Sequence, residues 1–165
     1  MGAVGSYLIL AAVSLRTLLQ LEGLPNQGRI LTWLIPYTLL LVADPWLTAR
    51  LRKRTAWYAP LYMIVQILLV RELLLVPPHQ DTFLALFVPL ALQAVQLFGR
   101  RIGFIWIGAF PLATIAFLID EPDISNFIMV IAFEGMCFLV GGYAHLIQVT
   151  EEANRENQRM AVRLE

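Results

Sequence analysis

The feature that most constrains this chain is a rhythm of long apolar runs broken by short polar connections, which read GLPNQGR, TARLRKRT, PPHQDT, GRR and DEPDISN. A helix rises about 1.5 Å per residue and a hydrocarbon core is about 30 Å thick, so roughly 20 mostly apolar residues make one crossing. Six runs meet or approach that length: Ala3 to Leu21, Ile30 to Leu47, Trp57 to Val76, Phe83 to Phe98, Ile102 to Ile119 and Phe127 to Gln148. The fourth is the shortest and suits a tilted or interfacial helix. Such short connections set neighbouring helices antiparallel and leave no room for a separate external binding domain. The expected fold is an all-α membrane protein, a six-helix transmembrane bundle whose last helix extends into a cytoplasmic coiled coil. Residues 1–148 are expected to form a six-span sensor domain, and residues 149–165 the start of a cytoplasmic signalling helix.

Composition agrees. Hydrophobic residues make up 59% of the chain and charged residues 15%, where a soluble domain carries about 25% charged. The net charge of zero says little, because the placement of Lys and Arg decides orientation. Arg50, Arg52, Lys53, Arg54, Arg100 and Arg101 lie in the second and fourth connections, and Arg155, Arg159 and Arg163 in the tail. Arg29 falls in the opposite set, where Asp81, Asp120, Glu121 and Asp123 gather. Short basic loops stay cytoplasmic, so both termini are expected there. The N-terminus lacks the basic region and small-residue cleavage site of a signal peptide and reads as a retained membrane helix. The single cysteine, Cys137, excludes an intrachain disulfide and reads as a small core residue, with a redox sensor as the rarer alternative.

Ionisable groups inside an apolar run need a partner or a task. Arg16, Arg71, Glu72 and Glu134 are the candidates for an intramembrane polar network. Counted from the outer ends of their spans, Arg16, Arg71 and Glu134 lie at roughly 9, 9 and 12 Å depth. Either Glu134 is held by Arg16 or Arg71, or both arginines reach back to the headgroups and Glu134 stands apart. Asp44, near the inner end of the second span, is within reach of the Arg50 to Arg54 cluster, and a local interfacial salt link is expected. His79 reads as a loop residue and His145 as an interfacial one. Pro36, Pro89 and Pro111 are expected inside the second, fourth and fifth spans, where each favours a kink. Gly99 and Gly103 fit a small-xxx-small pattern across the fourth connection. Gly141 and Gly142 would lower the stiffness of the sixth helix, or allow close packing.

No glycine-rich phosphate loop, Cys and His cluster at ligand spacing, or Ser, His and Asp set is present. No catalytic residue, metal site or cofactor site is therefore expected in this chain, and no nucleic-acid partner.

The last residues, LIQVTEEANRENQRMAVRLE, are polar and contain neither Gly nor Pro. Placing Leu146, Ala153 and Met160 at heptad position d puts Thr150, Asn157 and Leu164 at a. Asn at an a position sets register in two-stranded coiled coils at some cost in stability. Glu152, Glu156, Arg155 and Arg159 lie beside this seam. The expected structure is a parallel dimeric coiled coil, continuing past Glu165 because two heptads alone are marginal. A solvated C-terminal helix or a helix on the membrane surface is the alternative.

Six close-packed spans with tiny loops, a last span carrying GGYAHLIQVTEEANRENQRM and a helix entering the cytoplasm resemble the membrane sensor region of bacterial two-component sensor histidine kinases. The resemblance implies a homodimer in the bacterial inner membrane, sensing a lipid, hydrophobic or physical cue and moving the coiled coil. It places the phosphorylated histidine, ATP and Mg in a kinase core after Glu165, together with the contact to a response regulator. No catalytic residue carries over to this chain. Two other classes remain open: the membrane anchor of a nucleotide cyclase, and a small membrane carrier using the Arg and Glu layer as its substrate site.

Overall fold

Proline and glycine set the helix boundaries. The computed structural model describes residues 8, 11–17, 26–51, 57–77, 81–120 and 122–164, and among these every regular element is helical. Residues 11–17 form α1. Then come α2 (Gln27–Leu51), α3 (Tyr58–Leu74), a short 3-10 helix (Asp81–Leu86), α4 (Phe87–Asp120) and α5 (Ile124–Leu164). Leu75 and Val76 close the last turn of α3 through backbone bonds to Arg71 and Leu73, and the following Pro77 cannot continue it. Pro89 falls in the first turn of α4 rather than inside it, where its missing N–H costs no helical bond. Pro111 does lie inside the helix, and Thr114 donates its hydroxyl to the Pro111 carbonyl at 2.9 Å.

The sharpest feature is inside α4. Gly99 adopts φ 72° and ψ −178°, a region essentially reserved for glycine, and the chain turns back on itself there. Phe98 and Trp106 stack with centroids 5.6 Å apart, and Phe87 and Phe110 with centroids 5.0 Å apart. In an unbroken helix these pairs would sit about 12 and 35 Å apart along the axis. α4 is thus a hairpin of two antiparallel arms, residues 87–98 and 100–120. A Cβ on Gly103 would lie 2.7 Å from Val95 Cα, so the arms meet backbone to backbone just past the turn.

The first arm of α4 is the centre of the molecule, buried at Phe87, Val88, Leu90, Ala91, Ala94 and Val95. Tyr37 on α2 donates to the Leu86 carbonyl at 2.8 Å, and Gln93 on α4 donates to Asp44 at 3.2 Å, so α2 runs parallel to this arm. α3 runs against α2, as Asn26 reaching the Pro77 carbonyl and Tyr62 reaching the Leu40 carbonyl require. α5 covers the hairpin, and its contacts with α4 are the most extensive between any two elements.

Two stretches among the described residues, Thr82–Ile119 (38 residues) and Ile124–Met160 (37 residues), are long and apolar enough to cross a membrane. This overturns the expected six-helix transmembrane bundle, although the all-α class stands. The reasons are physical. The expected fourth and fifth spans belong to one apolar stretch folded at Gly99. α3 has 17 residues, short of the roughly 20 a crossing needs. α2 opens with Gln27 and Arg29 and carries Asp44, which dilutes its apolar run. The first expected span lies mostly outside the described residues.

Candidate functional site

Two features flank the central arm of α4. On one side lies a buried polar cluster joining three helices. Tyr62 on α3 is buried, and its hydroxyl accepts hydrogen bonds from Gln66 Nε2 and Gln93 Nε2, each at 3.1 Å. Gln93 Nε2 also donates to Asp44 Oδ2 on α2. Tyr62 donates to the Leu40 carbonyl at 3.3 Å, so the phenol ties α2, α3 and α4 at one level. Gln66 is fully buried and its Oε1 has no hydrogen-bond partner among the described residues. Asp44 accepts from Gln93, and the Arg50 to Arg54 side chains to which the sequence links it lie outside those described.

On the other side α5 is pressed onto the hairpin. Phe138 stacks on Phe104 at 5.8 Å, and Val130, Cys137 and Ala144 are buried along the same face. A Cβ on Gly141 would lie 2.6 Å from the end of Ile107 and 3.4 Å from Val95, whereas one on Gly142 would meet nothing within 4 Å. Both glycines sit inside unbroken helix. Gly141 therefore serves close packing, and Gly142 lies open on the other side of α5. Gln93 and Val95 are two steps apart on one rigid arm, so the polar cluster and the α5 contact share a single support.

Glu134 lies nearer the start of the central arm than either feature, facing Phe87, Phe110, Pro111 and Thr114 across a recess of about 10 Å³. That is about the space one water needs. Its Oε1 has no hydrogen-bond partner among the described residues. Arg71 Nη1 instead pairs with the neighbouring Glu72 at 2.7 Å, where both side chains are more than a third exposed. Glu72 also borders a cleft of about 310 Å³ with Arg29, Thr32 and Trp33, between the start of α2 and the end of α3. Arg16 is exposed on α1. The shared depth read from the sequence therefore does not bring the four charged residues into one network: Arg71 and Glu72 form a pair at the end of α3, and Glu134 belongs to the α4–α5 interface.

Beyond Gly142 the helix continues without a break, and every residue from 151 to 160 is exposed. Leu146, Thr150, Ala153, Asn157 and Met160 all face solvent in the single chain, while Leu164 ends the helix. Glu151 and Arg155 form an i,i+4 pair at 3.7 Å. Because Gly141 packs beside the Gly99 turn, the tail leaves from the same end of the molecule as exposed Arg100 and Arg101.

Sequence reasoning passed over Tyr62, Gln66 and Gln93. Their signal was present, since lone amides inside apolar helices need partners as charged groups do. No group of three or more His, Cys, Asp or Glu among the described residues is placed to hold a metal ion. No protein family, curated protein or solved structure matches this chain.

Proposed function

We propose that this chain is a membrane-embedded sensory and signal-transmitting domain, of the kind that feeds a histidine kinase, in which α5 relays a bilayer or envelope cue to a cytoplasmic output. The observation that carries this reading is α5 itself: one helix of 41 residues, packed on the hairpin through its first half and fully exposed over 151–160. At 1.5 Å per residue it is about 60 Å long, twice a hydrocarbon core. A displacement at the Val95, Ile107 and Phe104 contact is therefore carried into water without an intervening loop.

A membrane setting is supported by exposure. The most apolar windows of the two candidate spans are 28% and 17% buried, where a core helix of a soluble protein is mostly buried. In this reading the protein sits in the bacterial inner membrane as a multi-pass protein. The end bearing Arg100, Arg101 and the tail, with Arg155 and Arg159, faces the cytoplasm, as the basic-residue rule requires, and so does the N-terminus. Lipid is the immediate partner, a second copy pairs through the tail, and the ATP and Mg chemistry and the response regulator belong to an output domain beyond these residues. A cue biases such a relay only through its differential free energy between two packings.

The test is disulfide crosslinking of single cysteines placed from Leu146 to Leu164, in a Cys137→Ser background, in bilayers of short and long acyl chains. Peaks at Leu146, Thr150, Ala153, Asn157, Met160 and Leu164 whose yields shift with bilayer thickness support the relay. A flat profile removes the reading, and a heptad profile indifferent to the bilayer reduces α5 to an anchor, as a cyclase membrane region would use. The buried amides around Tyr62 favour a carrier as the second reading. Solute uptake by proteoliposomes holding this chain alone would establish it.

A further inference from the structure

We infer that α5 pairs with α5 of a second copy along one seam that begins in its apolar half, through Ala132, Met136, Leu139 and Tyr143, and runs into the tail without a change of register. The inference deepens the relay reading and rests on it for the membrane setting.

The heptad that puts Leu146, Ala153 and Met160 at d, stepped back by sevens, assigns Leu139 and Ala132 to d and Tyr143 and Met136 to a. All four are exposed, Leu139 at 77% and Tyr143 at 62%. The same register assigns the residues that α4 covers to the opposite side: Val130, Cys137 and Ala144 at b, and Gly141 and Glu134 at f. Over the packed half of α5, one phase thus separates the covered b and f positions, with Phe133 and Val140 at e at their edge, from the open a and d stripe.

Three further observations select a second copy rather than lipid alone. The exposed apolar face of α3 carries the bulky Leu61, Ile64 and Leu68, and that of α4 carries Ile105, Leu112 and Ile119, where the exposed Gly108 already adjoins α5, a Cβ there lying 3.9 Å from the Phe138 ring. The α5 stripe instead holds Ala132, with Gly135 and Gly142 beside it at g, and a Cβ on either glycine would meet nothing within 4 Å. Small residues on an open face let two helix backbones approach.

Charge agrees. In a parallel pair each g residue faces the e residue five positions on in the partner. Here that sets Val149 against Asn154 and Glu156 against Ala161, with no like charges opposed. Glu151 and Arg155 neutralise each other on the outer side. Thr150, at a, donates its hydroxyl to the Leu146 carbonyl at 2.9 Å and so turns its polar group inward to its own helix.

Length supplies the last argument. The tail alone offers about two heptads, marginal in water, while Ala132 to Met160 spans about 42 Å and roughly four.

The experiment uses the full chain in native membranes, in a Cys137→Ser background. Single cysteines replace Ala132, Met136, Leu139 and Tyr143, with Ile131 and His145 as off-seam controls and the tail positions run alongside. Crosslinked dimer several-fold higher at the four seam positions than at the controls supports the seam. Crosslinking confined to the tail overturns it and leaves the relay reading standing, with lipid covering the apolar half. Equal yields at seam and control positions overturn it as random collision, and no dimer anywhere overturns both readings. As a second measurement, Gly142→Leu adds bulk from a Cβ that itself meets nothing within 4 Å in its own protomer. It is expected to lower the Leu139→Cys crosslink several-fold with helicity unchanged; an unaltered crosslink counts against close approach at this face.

Discussion

A side chain at position 99 and one at position 103 would fail for different reasons. Gly99→Ala forces a Cβ into a backbone region that glycine alone tolerates, at about 1–3 kcal/mol. Gly103→Ala drives its methyl group against Val95 Cα at 2.7 Å, backbone that cannot step aside, and overpacking of this kind costs about 1–3 kcal/mol. Both substitutions are expected to lower the denaturation midpoint in detergent, while Gly142→Ala leaves it near the parent. Tyr62→Phe takes the acceptor from two buried amide donors, at about 1–3 kcal/mol, and an unchanged midpoint would mean that the cluster is hydrated in solution. Glu134→Gln is expected to be neutral or stabilising on the same measurement, since one carboxyl oxygen there is already without a partner. These contrasts show what was legible at this scale. The charged residues announced themselves, but depth along a helix cannot say which way a side chain points, so Arg71 found Glu72. The two glycines were visible as a spacing, and only the reversal of the chain explains why both must be small.

At the scale of elements, α5 is preceded by Asp123, whose carbonyl accepts from Phe127 N–H at 3.2 Å and whose carboxylate accepts a hydrogen bond from the Ser125 hydroxyl. The Ser125 hydroxyl, then the Ser125 and Ile124 backbone N–H groups, hold that carboxyl below its ordinary value of 3.8. A depressed carboxyl stabilises the helix start above its ordinary value and loses that contribution as pH falls through its folded value. Amide exchange in the first turn of α5 is therefore expected to quicken at acid pH, and Ser125→Ala to move the onset to higher pH. At the far end of the same helix, Val149→Pro breaks the rod where it leaves its packed half, with a local cost of about 3 kcal/mol. Tail crosslinking is then expected to lose its response to bilayer thickness while the midpoint of the packed half stays put. A response that survives the proline would show that α5 is not the conduit. The helical character of the described runs and the continuity of α5 were readable from pattern. The count of crossings was not, because hydropathy alone does not distinguish an arm of a hairpin from an independent span.

Across the whole molecule, four arginines fall together in space: the Gly99 turn, with Arg100 and Arg101, and the tail, with Arg155 and Arg159, share one end. The spacing of these residues along the chain was legible in the sequence, since it is a one-dimensional property. The polar cluster was not, because it needs Asp44, Tyr62 and Gln93 from three helices at one level. That difference in range has a kinetic consequence. The hairpin contacts, Val95 with Gly103 and Phe98 with Trp106, close short loops at small entropic cost, whereas Tyr37 to Leu86 closes a separation of 49 residues and Asn26 to Pro77 one of 51. The hairpin is therefore the part able to form first and to serve as the template on which α2, α3 and α5 assemble. In refolding from denaturant into micelles, Gly103→Ala is expected to slow folding, and Tyr62→Phe to leave the folding rate alone and hasten unfolding. A chain built this way assembles from its middle outward, and its long last helix docks onto a support that already exists.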